Sequence, residues 1–211
     1  MQRMNFFSRL LDFLFPPRSH EEILRSLTKE KLDGLLSPTL IETTRPATTG
    51  LLPFRDPRVR ALIHELKYHG SERAEDFLGA VLSEYIAEIG TDSFGKTVLI
   101  PLPLSPARAR ERGFNQCERI ARRALLDSGN PLLAISTDIL VRVKNTEHQA
   151  RLSRKERLQN VAGAFSSTPC DPTVSYVILD DVITTGATMQ AAIDALQGAG
   201  ARHITPLTLS R

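Results

Sequence analysis

The sequence predicts an α/β domain with a parallel-centred sheet flanked by helices, and three observations carry that reading. Thr97-Val98-Leu99-Ile100-Pro101-Leu102 and Tyr176-Val177-Ile178-Leu179 are continuous apolar runs, the pattern of parallel strands covered on both faces. Amphipathic helical patterns alternate with such runs, as βαβ units require. The 211 residues, 41% hydrophobic and 24% charged, suit one soluble domain plus a short accessory segment.

Taken in order, Asn5 to Phe15 form an apolar stretch broken by Arg9 and Asp12 and followed by Pro16-Pro17. This reads as an amphipathic helix, not a signal peptide or a membrane span. Residues 16–55 are rich in Pro, Thr and Ser and are expected to be a loosely structured lead-in, with one helical stretch near residues 21–36.

Regular structure is expected from Asp56-Pro57, where Asp56 can cap a helix that carries Val59, Leu62, Ile63 and Leu66 at helical spacing and stops at Gly70. A second helix should run from Ser71 to Gly90, followed by the strand at 97–102 and a Pro- and Arg-rich loop. Next come a helix over 116–128, a strand at 139–144, a long charged crossover at 144–160 and strands at 161–165 and 176–179. A helix at 187–197 and a last strand at 203–209 complete the pattern.

The net charge is only +3, but residues 101–160 hold twelve Arg or Lys against six acids. Such a basic segment points to an anionic partner, either a polyphosphate or a nucleic acid backbone, or else to a solvated charged face. Cys117 and Cys170 are the only cysteines. They are far apart and lack a pairing motif, which fits a reducing cytoplasm and excludes a four-cysteine zinc site. His64 and His69 are not at metal-ligand spacing with a cysteine or a carboxylate pair, and no catalytic triad is evident.

The chemistry concentrates where the second apolar run enters Asp180-Asp181-Val182-Ile183-Thr184-Thr185-Gly186-Ala187-Thr188. Ligands of open α/β sheets bind at the carboxyl ends of strands. Gly186 lets the backbone approach a ligand closely, and amides at the start of the next helix favour an anion. The hydroxyls of Thr184, Thr185 and Thr188 add donors without charge, so Thr184 to Thr188, with Gly186 and Ala187, form a candidate monophosphate cradle. Asp180 and Asp181 accept hydrogen bonds only, which suits vicinal sugar hydroxyls, and their charge favours a nearby Mg2+.

The run Val177 to Thr188 resembles the phosphoribosyl pyrophosphate (PRPP) signature of type I phosphoribosyltransferases. Pro101-Leu102-Pro103-Leu104 with Arg108 and Arg112-Gly113-Phe114-Asn115-Gln116 resembles the central motif of the ComF family, competence-associated proteins with a phosphoribosyltransferase-like fold. Leu66-Lys67-Tyr68-His69-Gly70, Arg142, Thr146, Gln149, Arg157 and Asn160-Val161-Ala162-Gly163-Ala164-Phe165 resemble the same family, and the matches span about residues 52–209.

The resemblance implies a type I phosphoribosyltransferase-like domain over residues 51–211, preceded by a degenerate accessory segment over 1–50. It places Asp180 and Asp181 on the ribose hydroxyls with indirect contact to Mg2+, and Thr184 to Thr188 on the 5′-phosphate. Arg108, Arg112, Gly113, Asn115 and Gln116 fall to the pyrophosphate loop, and Arg151, Arg154, Arg157 and Asn160 to a flexible loop over substrate.

Relatives usually begin with a four-cysteine zinc module. Here Leu14-Phe15-Pro16-Pro17-Arg18-Ser19-His20 stands in its place, so no zinc is expected. Thr184 stands where several purine-using transferases carry an acid, which disfavours purine salvage. By resemblance alone the chain is expected to be cytoplasmic and to handle incoming single-stranded DNA, alone or with other competence proteins. Three versions follow: a PRPP-binding DNA handler, an active transferase with an unassigned acceptor, or a non-catalytic PRPP sensor. A homodimer is left open.

Individual residues keep alternative roles. Arg108, Arg110 and Arg112 can grip phosphate oxygens or decorate a solvated turn. Asn115 can cap a helix or touch ligand. Lys67 at a helix end is favoured by the dipole whatever its function. Arg119, Arg122 and Arg123 read as an exposed helix face, and Cys117 as a small buried residue.

Overall fold

The computed structural model describes residues 19–28, 30–31, 34–88, 95–144, 161 and 163–211. The expected helix at 5–15 and the loop residues Arg151, Arg154, Arg157 and Asn160 lie outside the described residues.

A six-stranded sheet has the order β1-β2-β8-β7-β3-β4, with β1 Thr39–Ile41, β2 Thr48–Leu52, β3 Thr97–Pro101, β4 Leu133–Ile135, β7 Ser175–Val182 and β8 His203–Ser210. Every pairing is parallel except β1 with β2. A separate antiparallel pair joins β5 Leu140–Arg142 to β6 Phe165–Ser167.

The apolar run of β7 explains its central place. Val177 and Leu179 belong to one core, with α1 Ser19–Ser26, α2 Pro57–His69, α3 Glu72–Glu88 and α5 Gln116–Ser128. Tyr176 and Ile178 belong to the other, with α6 Ala187–Gly198 and the β5/β6 pair. Both faces of the strand are covered, as a parallel strand requires.

The helix ends follow local chemistry. Asp56 accepts from the Arg58 amide at 2.8 Å, Pro57 opens α2, and Gly70 closes it in the left-handed region at φ 58°. Asn115 caps α5, its side-chain oxygen accepting from the Cys117 amide at 2.9 Å.

Four expectations need correction. The segment after β3 is a helix, α4 Pro106–Arg112, and not a Pro- and Arg-rich loop; Ser105 caps it, Pro106 sits at its first position, and Gly113 ends it at φ 75°. Besides the expected helical stretch, which is α1, the lead-in holds β1 and β2, so strands begin well before Asp56; β2 is drawn into the sheet by parallel pairing with β8. The strand expected at 161–165 is β6, beginning at Phe165, and Val161 has helical backbone. β4 is a further strand, between α5 and the strand expected at 139–144, and pairs with β3 at the sheet edge.

Candidate functional site

The carboxyl ends of β3 and β7 lie side by side: Pro101 pairs with Leu179, and the Leu102 amide donates to the Leu179 carbonyl at 2.9 Å. The turns that leave both strands therefore open on one cavity of about 520 Å3. Asp180, Asp181 and every residue from Thr184 to Thr188 line it, together with Ser105 and Arg108 from the β3 side and Lys67 and Tyr68 from α2.

The candidate phosphate cradle is built by backbone. Gly186 occupies the N-cap of α6 at φ 76° and ψ −3°, so no side chain caps this helix end. A Cβ at Gly186 would sit 2.6 Å from Thr43 Oγ1 and 3.0 Å from Thr44 Cγ2, because the turn between β1 and β2 packs against the cradle. The Arg45 amide donates to Gln190 Oε1 at 2.7 Å, and Gln190 Nε2 donates back to the Arg45 carbonyl at 3.3 Å. The lead-in thus packs against the cradle and the first turns of α6.

The two acids have different surroundings. Asp181 is buried, and its Oδ2 receives Lys67 Nζ at 2.8 Å and Gln116 Nε2 at 2.5 Å. Asp180 is half-buried and accepts the Asp181 amide through Oδ1 at 2.8 Å. Burial first, and then the neighbouring Asp181 charge, push the Asp180 carboxyl up to about 7, partly offset by Lys67 and Arg108. Asp181 is thereby anchored to the scaffold. Asp180 is the acid whose charge a ligand cation would stabilise.

Positive charge surrounds the cavity through Arg60, Lys67, Arg108 and Arg142. Burial, and then the nearby Arg108, hold the Arg142 guanidinium below its ordinary value, with Asp180 acting the other way. Arg142 also stacks on Phe165, 5.4 Å from the ring centroid. Since arginine does not deprotonate in proteins, an anion in the cavity would relieve this crowding of cations.

Of the pyrophosphate-loop candidates, Arg108 lines the cavity. Arg112 lies 5.7 Å over the Tyr68 ring, with Nε and Nη1 buried and lacking a hydrogen-bond partner. Gly113 terminates α4, and Gln116 holds Asp181. Asn115 uses both ends of its amide in the scaffold, capping α5 and donating to the Leu102 carbonyl at 3.1 Å. Arg119, read as an exposed face, instead bridges helices: it pairs with Glu75, donates to the Gly70 carbonyl at 3.2 Å and stacks on Phe114.

Burial first, and then the neighbouring Asp181 and Asp180 charges, push the Cys117 thiol well above its ordinary value. Sequence reasoning passed over Ser105, His20, Arg60 and His64 as cavity residues. Ser105 was signalled by the Ser-Pro of a helix start. His20 and the β1–β2 turn reach the site only through tertiary packing.

A parallel-centred sheet with carboxylates and a glycine-capped helix at its strand ends defines an α/β protein of the phosphoribosyltransferase-like type. No family model matches the chain. It is 34% identical over 116 residues to Competence protein F of Haemophilus influenzae, covering 54% of this chain and 49% of that protein. It is 32% identical over 115 residues to Competence protein ComFC of Bacillus subtilis, covering 54% and 44%. DNA utilization protein YhgH of Salmonella typhimurium is 29% identical over 157 residues, covering 74% and 68%. The chain is thus similar to competence and DNA utilization proteins at 29–34% identity. The alignments span about half the length of Competence protein F and somewhat less of ComFC. Among the described residues no helix is long and apolar enough to cross a membrane.

Proposed function

We propose that the chain binds PRPP together with Mg2+ and acts in DNA uptake or use. One observation carries the binding reading: a carboxylate pair, a glycine-opened helix N-terminus and crowded arginines share one cavity large enough for a sugar phosphate. The names of its relatives, competence protein and DNA utilization protein, support the biological role.

In this reading the first-turn amides of α6 and the hydroxyls of Thr184, Thr185 and Thr188 hold the 5′-phosphate, as helix N-termini hold anions. Asp180 accepts from the ribose hydroxyls, while Lys67 and Gln116 fix Asp181 behind it. Arg108 and Arg142 face the pyrophosphate. The acid pair fits a divalent cation, since Asp180 resists ionising beside Asp181 and a cation would relieve that repulsion. Magnesium, when bound, would supply positive charge against the pyrophosphate oxygens.

Calorimetric titration of PRPP with Mg2+ into wild type and the Asp180→Asn/Asp181→Asn variant tests this. Saturable binding that the variant loses is expected. Equal heats from both proteins would refute it. Phosphate and pyrophosphate release in the presence of nucleobases, amines and nucleotides then separates a transferase from a protein that binds PRPP without turnover.

The surplus of positive charge in residues 101–160 supports single-stranded DNA as the macromolecular partner. Binding should weaken with salt, and the slope should fall by about one for each phosphate-contacting Arg removed at Arg151, Arg154 or Arg157. An unchanged slope in all three variants would exclude these residues.

A further inference from the structure

His20 on α1 and His64 on α2, more than forty residues apart in the sequence, both line the cavity, and Glu65 and His69 of α2 lie beside them. The His20 and His64 ring centroids are 4.4 Å apart, and those of His64 and His69 are 5.7 Å apart. Glu65 is 2% exposed, and its Oε1 lies 3.8 Å from His64 Nδ1 and 3.9 Å from His69 Nε2.

We propose that His20, His64 and Glu65 form a binding site for a divalent transition metal of the zinc class, with His69 at its edge and one coordination position open to the cavity. One donor atom from each of the three residues lies within 4.8 Å of the others. Donors around a tetrahedral zinc ion sit about 3.3 Å apart, given bonds of roughly 2.0–2.2 Å. A rotation of the His20 side chain on the first turn of α1 can supply the remaining closure.

Two further observations favour a metal over a packed cluster of rings. His64 Nδ1 is buried without a hydrogen-bond partner, a costly state for an imidazole nitrogen that coordination would remove. Two imidazoles and a carboxylate select zinc, nickel, cobalt or copper over magnesium and calcium, which prefer all-oxygen sets. The metal would staple α1 to α2, where Arg73 already ties α3 to the carbonyls of Leu24 and Leu27 at 2.9 Å.

Zinc binding at these residues does not require PRPP, and its test is kept separate. The full chain, free of any histidine tag and stripped with chelator, is titrated with Zn2+ by calorimetry and with Co2+ by visible spectroscopy. One Zn2+ per chain, the d–d bands of tetrahedral Co2+ and a zinc-dependent rise in Tm are expected. His20→Gln and His64→Gln should each weaken Zn2+ binding by roughly tenfold or more. Asp180→Asn/Asp181→Asn should leave it unchanged, as should excess Mg2+. His20 sits on the partly exposed first turn of α1, so His20→Gln retains the fold and keeps the test decisive if His64→Gln does not.

No stoichiometric Zn2+ binding, or wild-type affinity in folded His20→Gln, overturns the proposal. Loss of Zn2+ in the Asp180→Asn/Asp181→Asn variant also overturns it, since the metal would then sit on the acids.

Discussion

Gly186→Ala probes the phosphate cradle without touching a charge. At φ 76° an alanine enters the left-handed region, at about 1–2 kcal/mol. Its Cβ would also meet Thr43 Oγ1 at 2.6 Å and Thr43 Cβ at 3.1 Å, an overlap that forces the β1–β2 turn outward at about 1–3 kcal/mol. The two effects together destabilise by about 2–5 kcal/mol, and a chain of this size should lose roughly 4–20 °C in Tm. Urea and thermal unfolding of wild type, Gly186→Ala, Thr43→Gly and the double variant form a cycle that separates the parts. Thr43→Gly removes the overlapping atoms, so the double variant should recover the steric share while the backbone share persists. Additivity of the two substitutions within about 0.5 kcal/mol would show that Thr43 does not press on Gly186 and would refute the close packing of turn and cradle.

Other perturbations have equally definite outcomes. Lys67→Met leaves the buried Asp181 carboxylate with Gln116 and beside Asp180; it should cost about 2–4 kcal/mol in urea unfolding, most of it recovered by adding Asp181→Asn, and a Lys67→Met protein as stable as wild type would contradict the pairing. Asp56→Ala removes the α2 cap and should cost about 1 kcal/mol at neutral pH. Its hydrogen bond from Arg58 lowers the Asp56 carboxyl below 3.8, so this stabilisation is present above pH 3.8 and disappears as pH falls through the lower folded value. The stability gap between wild type and Asp56→Ala should therefore close in acid, and a gap that widens there would reverse the assignment. Cys117 is buried with its thiol raised, whereas Cys170 is partly exposed. Native protein should accordingly react at one thiol with an aromatic disulfide reagent and denatured protein at two, with fast reaction of both in the native state arguing against a closed core.

The central fold was legible because its signals are local. The β7 run, the Asp56-Pro57 start and Gly70 stop of α2, and the glycine before α6 each record a backbone requirement in neighbouring residues. Helix α4 carried the same signals in Ser105, Pro106 and Gly113, but three arginines in seven residues gave it the polarity of a loop. Strand β2 was hidden because Thr48, Thr49 and Gly50 have weak apolar character, and its place depends on β8, which lies more than 150 residues away. The acids and the glycine turn that line the cavity lie together where the sequence places them, at the end of β7. The differing surroundings of Asp180 and Asp181 could not be read in the sequence, since Lys67 and Gln116 reach Asp181 from helices 114 and 65 residues earlier. The gathering of His20 with His64 was invisible for the same reason.

The insertion of β2 beside β8 bears on how this chain can be dissected. A fragment trimmed to begin near residue 51 would lose most of that strand and leave β8, buried from Pro206 to Ser210, as a bare margin with open amides and carbonyls. Unpaired margins of this kind recruit other chains, so such a fragment should self-associate through β8. Soluble expression of the region that carries the acid pair and the glycine turn should therefore depend on the Thr- and Pro-rich stretch before it, which acts as a sealing strip along the sheet.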